Sequence, residues 1–124
     1  QGECDAFENQ QLSPKEKEKF YYDSFMAQML DLKERYKTYS FPIIVGEFVN
    51  EWSDLKENKL STTAIEKALY ACSKSLGNSL VVSSEGLKSN NEEHHNGDNI
   101  HFSKNSLIEL GKRYFEAFET LKTK

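Results

Sequence analysis

The sequence predicts an α/β fold whose strands pair in parallel. Three observations carry this. Two short runs, Phe41-Pro42-Ile43-Ile44-Val45-Gly46-Glu47-Phe48 and Ser79-Leu80-Val81-Val82-Ser83, are apolar without alternation and rich in β-branched residues, as strands buried on both faces are. A helical stripe, Ile65, Ala68, Leu69, Cys72 and Leu76, lies between them. Strand, helix and strand in that order make a parallel pair joined by a right-handed crossover.

The remaining elements follow in chain order. Residues 1–12 read as a polar, irregular opening. Ser13-Pro14-Lys15-Glu16 starts a helix, with Ser13 as N-cap, Pro14 at the first helical position and Glu16 closing a capping box. Tyr22, Phe25, Met26, Met29, Leu32, Lys33 and Tyr36 recur at helical spacing and extend it to about residue 39. The charged cluster Lys15–Lys19 forms its solvated first turns. Thr63 and Glu66 suggest a capping box for the middle helix, which Gly77 stops. Residues 84–103 read as a long polar loop. A last helix, capped by Ser103, runs from about Lys104 to Leu121 and is expected to bury Leu107, Leu110, Gly111, Tyr114, Phe115 and Phe118. Two strands alone do not form a stable parallel sheet, so further strands are expected on the N-terminal side.

Composition narrows the possible functions. A chain of 124 residues is one domain at most, and 37 % hydrophobic with 12 % aromatic residues suffices for a core. Sixteen basic and twenty acidic residues, interspersed, give a net charge of −4, which argues against nucleic acid or an anionic membrane surface as partner. No apolar run approaches the roughly 20 residues of a membrane span. Neither an initiator methionine nor a basic-then-apolar leader is visible at Gln1. Cys4 and Cys72 define no disulfide framework, and Cys72 falls on the core side of its helix, where a thiol is inert.

The chemistry concentrates in Asp98-Asn99-Ile100-His101-Phe102. A histidine that takes and returns a proton needs a partner that fixes its tautomer, and a carboxylate three residues earlier can do this. Ligand sites in open α/β sheets gather beyond the carboxyl ends of the strands, where this loop follows Val82. Gln1-Gly2-Glu3 and Val49–Trp52 are the other segments that could meet there. Other readings of single residues are blander. Glu92-Glu93-His94-His95 with Asp98 reads as a solvated loop rather than a metal site, Cys4 has no feature that would lower a thiol pKa, and Glu47 and Glu51 read as surface charge. Trp52 could stack on a sugar ring or sit in the core.

Blocks along the chain resemble the carbohydrate acetylesterases, the sialate O-acetylesterase and acetylxylan esterase relatives within the SGNH hydrolases. Gln1-Gly2-Glu3-Cys4-Asp5-Ala6 is similar to that family's Gln-Gly-Glu-Ser-Asp-Ala block. Val82–Leu87, Asp98–Ser103 and Leu110-Gly111-Lys112-Arg113-Tyr114 resemble its C-terminal blocks in the same order. The resemblance implies that residues 1–124 are the C-terminal part of a three-layer α/β/α SGNH-type domain, with the N-terminal strands missing from this chain. It implies hydrolysis of acetyl esters on carbohydrates through an acyl-serine intermediate, without metal or other cofactor. His101 would be the general base and Asp98 its orienting partner. Gln1 would line the oxyanion pocket, and Glu3 would be a buried carboxylate bracing that corner. The family's Gly-x-Ser-Asn nucleophile block does not occur in these residues, and Gly77-Asn78-Ser79 is a helix stop feeding a strand. The serine would therefore come from an N-terminal segment or a second chain. The alternative is a non-catalytic fragment or module.

Overall fold

The computed structural model describes residues 2–7, 11–37 and 41–122. Its element order is α1 (Glu3–Phe7), α2 (Pro14–Arg35), β1 (Ile43–Gly46), α3 (Asn50–Ser53), α4 (Lys59–Leu76), β2 (Ser79–Val82), α5 (Asn90–His94) and α6 (Lys104–Lys122). β1 and β2 pair in parallel, Ile43 beside Ser79 through Gly46 beside Val82, so the α/β class and the parallel pair hold. α4 and α6 both pack against β2, and α2 lies along α4.

Local chemistry explains most boundaries. At the start of α2, Ser13 Oγ accepts from the Glu16 amide, and Glu16 Oε2 accepts from the Ser13 amide at 2.8 Å, with Pro14 in the first turn. The helix stops at Arg35, earlier than the apolar spacing suggests, and Lys37 takes the left-handed conformation (φ 49°). Residues 38–40, on which the expected end fell, lie outside the described ones. α4 ends as expected at Gly77, whose φ of 74° suits a residue without a Cβ.

Several expectations change. The opening is not wholly irregular, because Glu3–Phe7 form α1 and bury Ala6. α4 starts at Lys59 rather than at a Thr63–Glu66 box, and those residues fall in its second turn. Of the run Phe41–Phe48 only Ile43–Gly46 is strand, since Pro42 has no amide for a ladder. Ile44, Val45 and Gly46 are half-buried rather than buried on both faces, and among the described residues β1 has a strand partner on one side only. α6 buries Ser106 and Leu121, whereas Leu107, Phe115 and Phe118 are exposed. Leu110 and Tyr114 are half-buried.

The core lies under α1, α3 and α4. Ala6, Phe48, Trp52 and Ile65 form its buried cluster, with Tyr21, Leu55 and Ile100 packed against it. Gly2 (φ 121°) sits so close that an added Cβ would lie 3.1 Å from Phe48 and 3.2 Å from Ile65. Trp52 is T-shaped against Phe48 and tilted against Phe7, both at 5.4 Å between centroids. At 3 % exposure it is a core aromatic and not a platform for a sugar. The segments beginning at Gly2, at Val49 and at Asp98 thus converge on one piece of core.

Candidate active site at the carboxyl edge of the strands

The loop after β2 is more ordered than its polarity suggests. It holds α5, with a capping box of its own: Ser89 Oγ accepts from the Glu92 amide at 2.9 Å, and Glu92 Oε2 accepts from the Ser89 amide at 2.8 Å. The Ser-x-x-Glu signal at 89–92 was present in the sequence, but no apolar run followed to mark a helix. His95 closes α5 in the left-handed conformation. A bridge between Ser89 and Phe102 and the bond from the Asn90 amide to the His101 carbonyl (2.9 Å) draw the loop's two ends together.

That closure brings the Asp98 and His101 side chains into contact. His101 Nδ1 lies 3.0 Å from Asp98 Oδ1 and 3.1 Å from Oδ2, and the His101 amide donates to Oδ1 at 3.2 Å. Asn90 Nδ2 donates to Asp98 Oδ2 at 2.9 Å. The Asn90 amide, followed by the donors of His101, holds the Asp98 carboxyl down at about 2. It is therefore a carboxylate at any physiological pH, and an acceptor that sets the proton of a neutral imidazole on Nδ1. The His101 side chain is 76 % exposed, which leaves the rest of the ring open to an incoming group.

Beneath this pair lies a polar support that the sequence reading missed. Glu51 accepts from Ser89 Oγ and, at 2.6 Å, from Asn91 Nδ2. Asn91 Oδ1 accepts from the Gly97 amide at 2.9 Å, and the Asn91 amide donates to the Asp98 carbonyl at 2.8 Å. Glu47 is equally engaged, accepting from Tyr70 Oη at 2.5 Å and the Ser84 amide at 2.9 Å. Burial would raise the Glu47 carboxyl, but the Tyr70, Ser84 and Ser83 hydrogen bonds outweigh it and lower it. Neither glutamate is plain surface charge, contrary to expectation. A short acidic side chain gives no sequence signal for a partner about forty residues away.

The remaining candidates fall elsewhere. Gln1 lies outside the described residues. Glu3 is half-buried rather than fully buried. It lines a different feature, a groove of about 690 Å³ bounded by residues 2–5, Tyr21, Phe25 and Met29 of α2, Ile44–Gly46 of β1 and Tyr114 of α6. Asp98 and His101 are not among that groove's lining residues. Glu92 serves in the α5 capping box, and Glu93 accepts from Asn105. Among the described residues no three His, Cys, Asp or Glu side chains are grouped to hold a metal ion. Cys4 is exposed, while Cys72 is buried and its thiol is pushed up to about 11 by burial and then by Asp23.

The described residues thus form a mixed α/β chain with a bonded aspartate–histidine pair beyond its strands. The comparison with known families is specific: the chain belongs to the carbohydrate esterase family described as sialic acid-specific acetylesterase, whose model matches residues 1–120. Membership makes this an esterase-family chain, and the family's chemistry points to acetyl esters of carbohydrates. No curated protein and no solved structure gave a significant match.

Proposed function

We propose that residues 1–124 form the C-terminal part of a three-layer SGNH-type domain and carry the acid–base half of a carbohydrate acetylesterase. The observation that carries this reading is the Asp98–His101 contact of 3.0 Å in a chain of that family. His101 Nε2 takes the proton of a serine as its oxygen attacks the acetyl carbon. The same proton then passes to the departing sugar hydroxyl, leaving an acyl-serine. In the second half His101 takes a proton from water, which attacks the acyl group and releases acetate and free serine. Asp98 keeps the imidazole in the Nδ1–H tautomer and stabilises the imidazolium. Gln1 and Glu3 are assigned to the oxyanion corner, and no cofactor enters this scheme.

The serine would arrive on a further stretch of polypeptide. Support comes from β1: the amides of Ile43 and Glu47 donate to Asn78 and Val82 of the β2 side, so those of Ile44 and Gly46 face the open edge. That edge lines the groove together with α2 and Tyr114. A second reading, a non-catalytic module, is favoured by the lack of a Gly-x-Ser-Asn block in these 124 residues.

Hydrolysis of p-nitrophenyl acetate and of an acetylated sugar, by this chain and by a longer protein containing it, tests the reading. Activity that falls to background in His101→Ala supports the assignment. Activity that survives His101→Ala overturns it. A longer protein that folds and lacks all turnover favours the non-catalytic module.

A further inference from the structure

We propose that Asn90 is a positioning residue for the Asp98–His101 pair, held in place by a platform that Glu51 anchors. The inference deepens the esterase reading and rests on it only for its effect on turnover.

Two rigid links define the position of Asn90. Its amide donates to the His101 carbonyl at 2.9 Å, and its side chain donates to Asp98 Oδ2 at 2.9 Å. One residue thus touches the backbone of the histidine and the side chain of the aspartate. A carboxylate on a surface loop can rotate about two side-chain torsions, and the only donors His101 offers it, ring Nδ1 and its own amide, belong to the same loop residue. The Asn90 amide adds a third donor to the two from His101, restricting the carboxylate to the orientation in which it faces Nδ1.

The platform keeps Asn90 from moving with the loop. Asn90 opens α5, and Ser89 before it and Asn91 after it both donate to the Glu51 carboxylate. Glu51 belongs to α3, next in sequence to Trp52, which is locked in the core. Asn91 also grips the far side of the loop through the Gly97 amide and the Asp98 carbonyl. A continuous chain of contacts therefore runs from the core through Trp52, Glu51, Asn91 and Asn90 to Asp98. Support of this kind separates a merely adjacent pair from one held in a fixed geometry.

The test is nuclear magnetic resonance on this chain, so it needs no turnover. The carboxyl carbon of Asp98 is titrated, and the ring nitrogens of His101 report the tautomer, in wild type, Asn90→Ala and the near-isosteric Asn90→Leu. Both variants keep the backbone amide, and the amide signals of residues 89–95 report whether α5 persists. With α5 intact in either variant, the expected result is an Asp98 midpoint that rises from about 2 toward 3.8, with a loss of the Nδ1–H tautomer preference. An unchanged midpoint and tautomer in the variant that keeps α5 overturns the proposal. If α5 is lost in both, Glu51→Ala, which leaves Asn90 itself in place, carries the test: the same two signals must move, and their constancy overturns the proposal. In the esterase assay Asn90→Ala is expected to lower kcat with KM unchanged. Failure of His101→Ala to abolish activity would end the esterase reading yet leave the magnetic resonance result standing.

Discussion

Replacing Thr62 with valine isolates one hydroxyl on which the placement of α3, and so of Glu51, depends. Thr62 is 1 % exposed. Its Oγ1 lies 2.9 Å from the Ser53 carbonyl, 3.1 Å from that of Asn58 and 3.3 Å from that of Lys59. The Asn58 carbonyl also accepts from the Thr62 amide, so it stays satisfied when the hydroxyl is removed. The Ser53 carbonyl, at the end of α3, loses its hydroxyl donor in a buried setting. Valine keeps the shape, so the effect is the lost hydrogen bond and the desolvated acceptor, about 1–2 kcal/mol. With a urea slope of roughly 2 kcal/mol per molar, the unfolding midpoint should fall by about 0.5–1 M at constant slope. Thr62→Ser keeps the bond and deletes a methyl, which costs about 1 kcal/mol through burial and cavity terms. Circular dichroism gives the midpoints, and amide exchange at Trp52, Ser53 and Asp54 separates the two variants. Exchange there should quicken in the valine variant and not in the serine one. A valine variant as stable as wild type, with unchanged exchange in α3, would refute the reasoning.

Three further outcomes follow from particular contacts. Burial, then the charge of Glu47, raises the Glu66 carboxyl above its usual 4.5, so its stabilising contribution exists below pH 4.5 and is lost as pH rises through the raised value. Glu66→Gln should therefore raise the melting temperature at neutral pH and converge on wild type below pH 4.5, and a gain that grows toward acid would contradict this. At pH 8 Cys4 should react with a disulfide reagent at once and Cys72 only on unfolding, given its thiol near 11, so equal reactivity of both in the folded protein would count against a buried Cys72. A Cβ added at Gly46 would collide with the Tyr114 hydroxyl. Gly46→Ala should thus cost about 1–3 kcal/mol, less in a Tyr114→Phe background, and a double-mutant cycle with zero coupling would place Tyr114 elsewhere.

The parts of this protein legible in its sequence are those set by neighbouring residues. The Ser13–Glu16 box and the Gly77 stop are local physics and stand in the structure where the chain chemistry puts them, and each β-branched run holds a four-residue strand, shorter than Phe41–Phe48 suggested. The spacing of Asp98 and His101 belongs to the same class, because a carboxylate three residues before a histidine is within reach of its ring nitrogen. What the sequence could not supply is everything that depends on which surface meets which. Leu107, Phe115 and Phe118 have the periodicity of a buried face, yet all three are exposed while Ser106 and Leu121 of the same helix are buried. Glu51 looks like any surface glutamate until α3 and α5 pack together and its oxygens meet Ser89 and Asn91. A hydrogen bond between residues forty positions apart leaves no periodic trace, because its geometry is made by packing. The sequence by itself determined the α/β class with its parallel strands, and the spacing that puts Asp98 within reach of His101. Only the tertiary structure decided that the pair is braced, through Asn90 and Glu51, against the core.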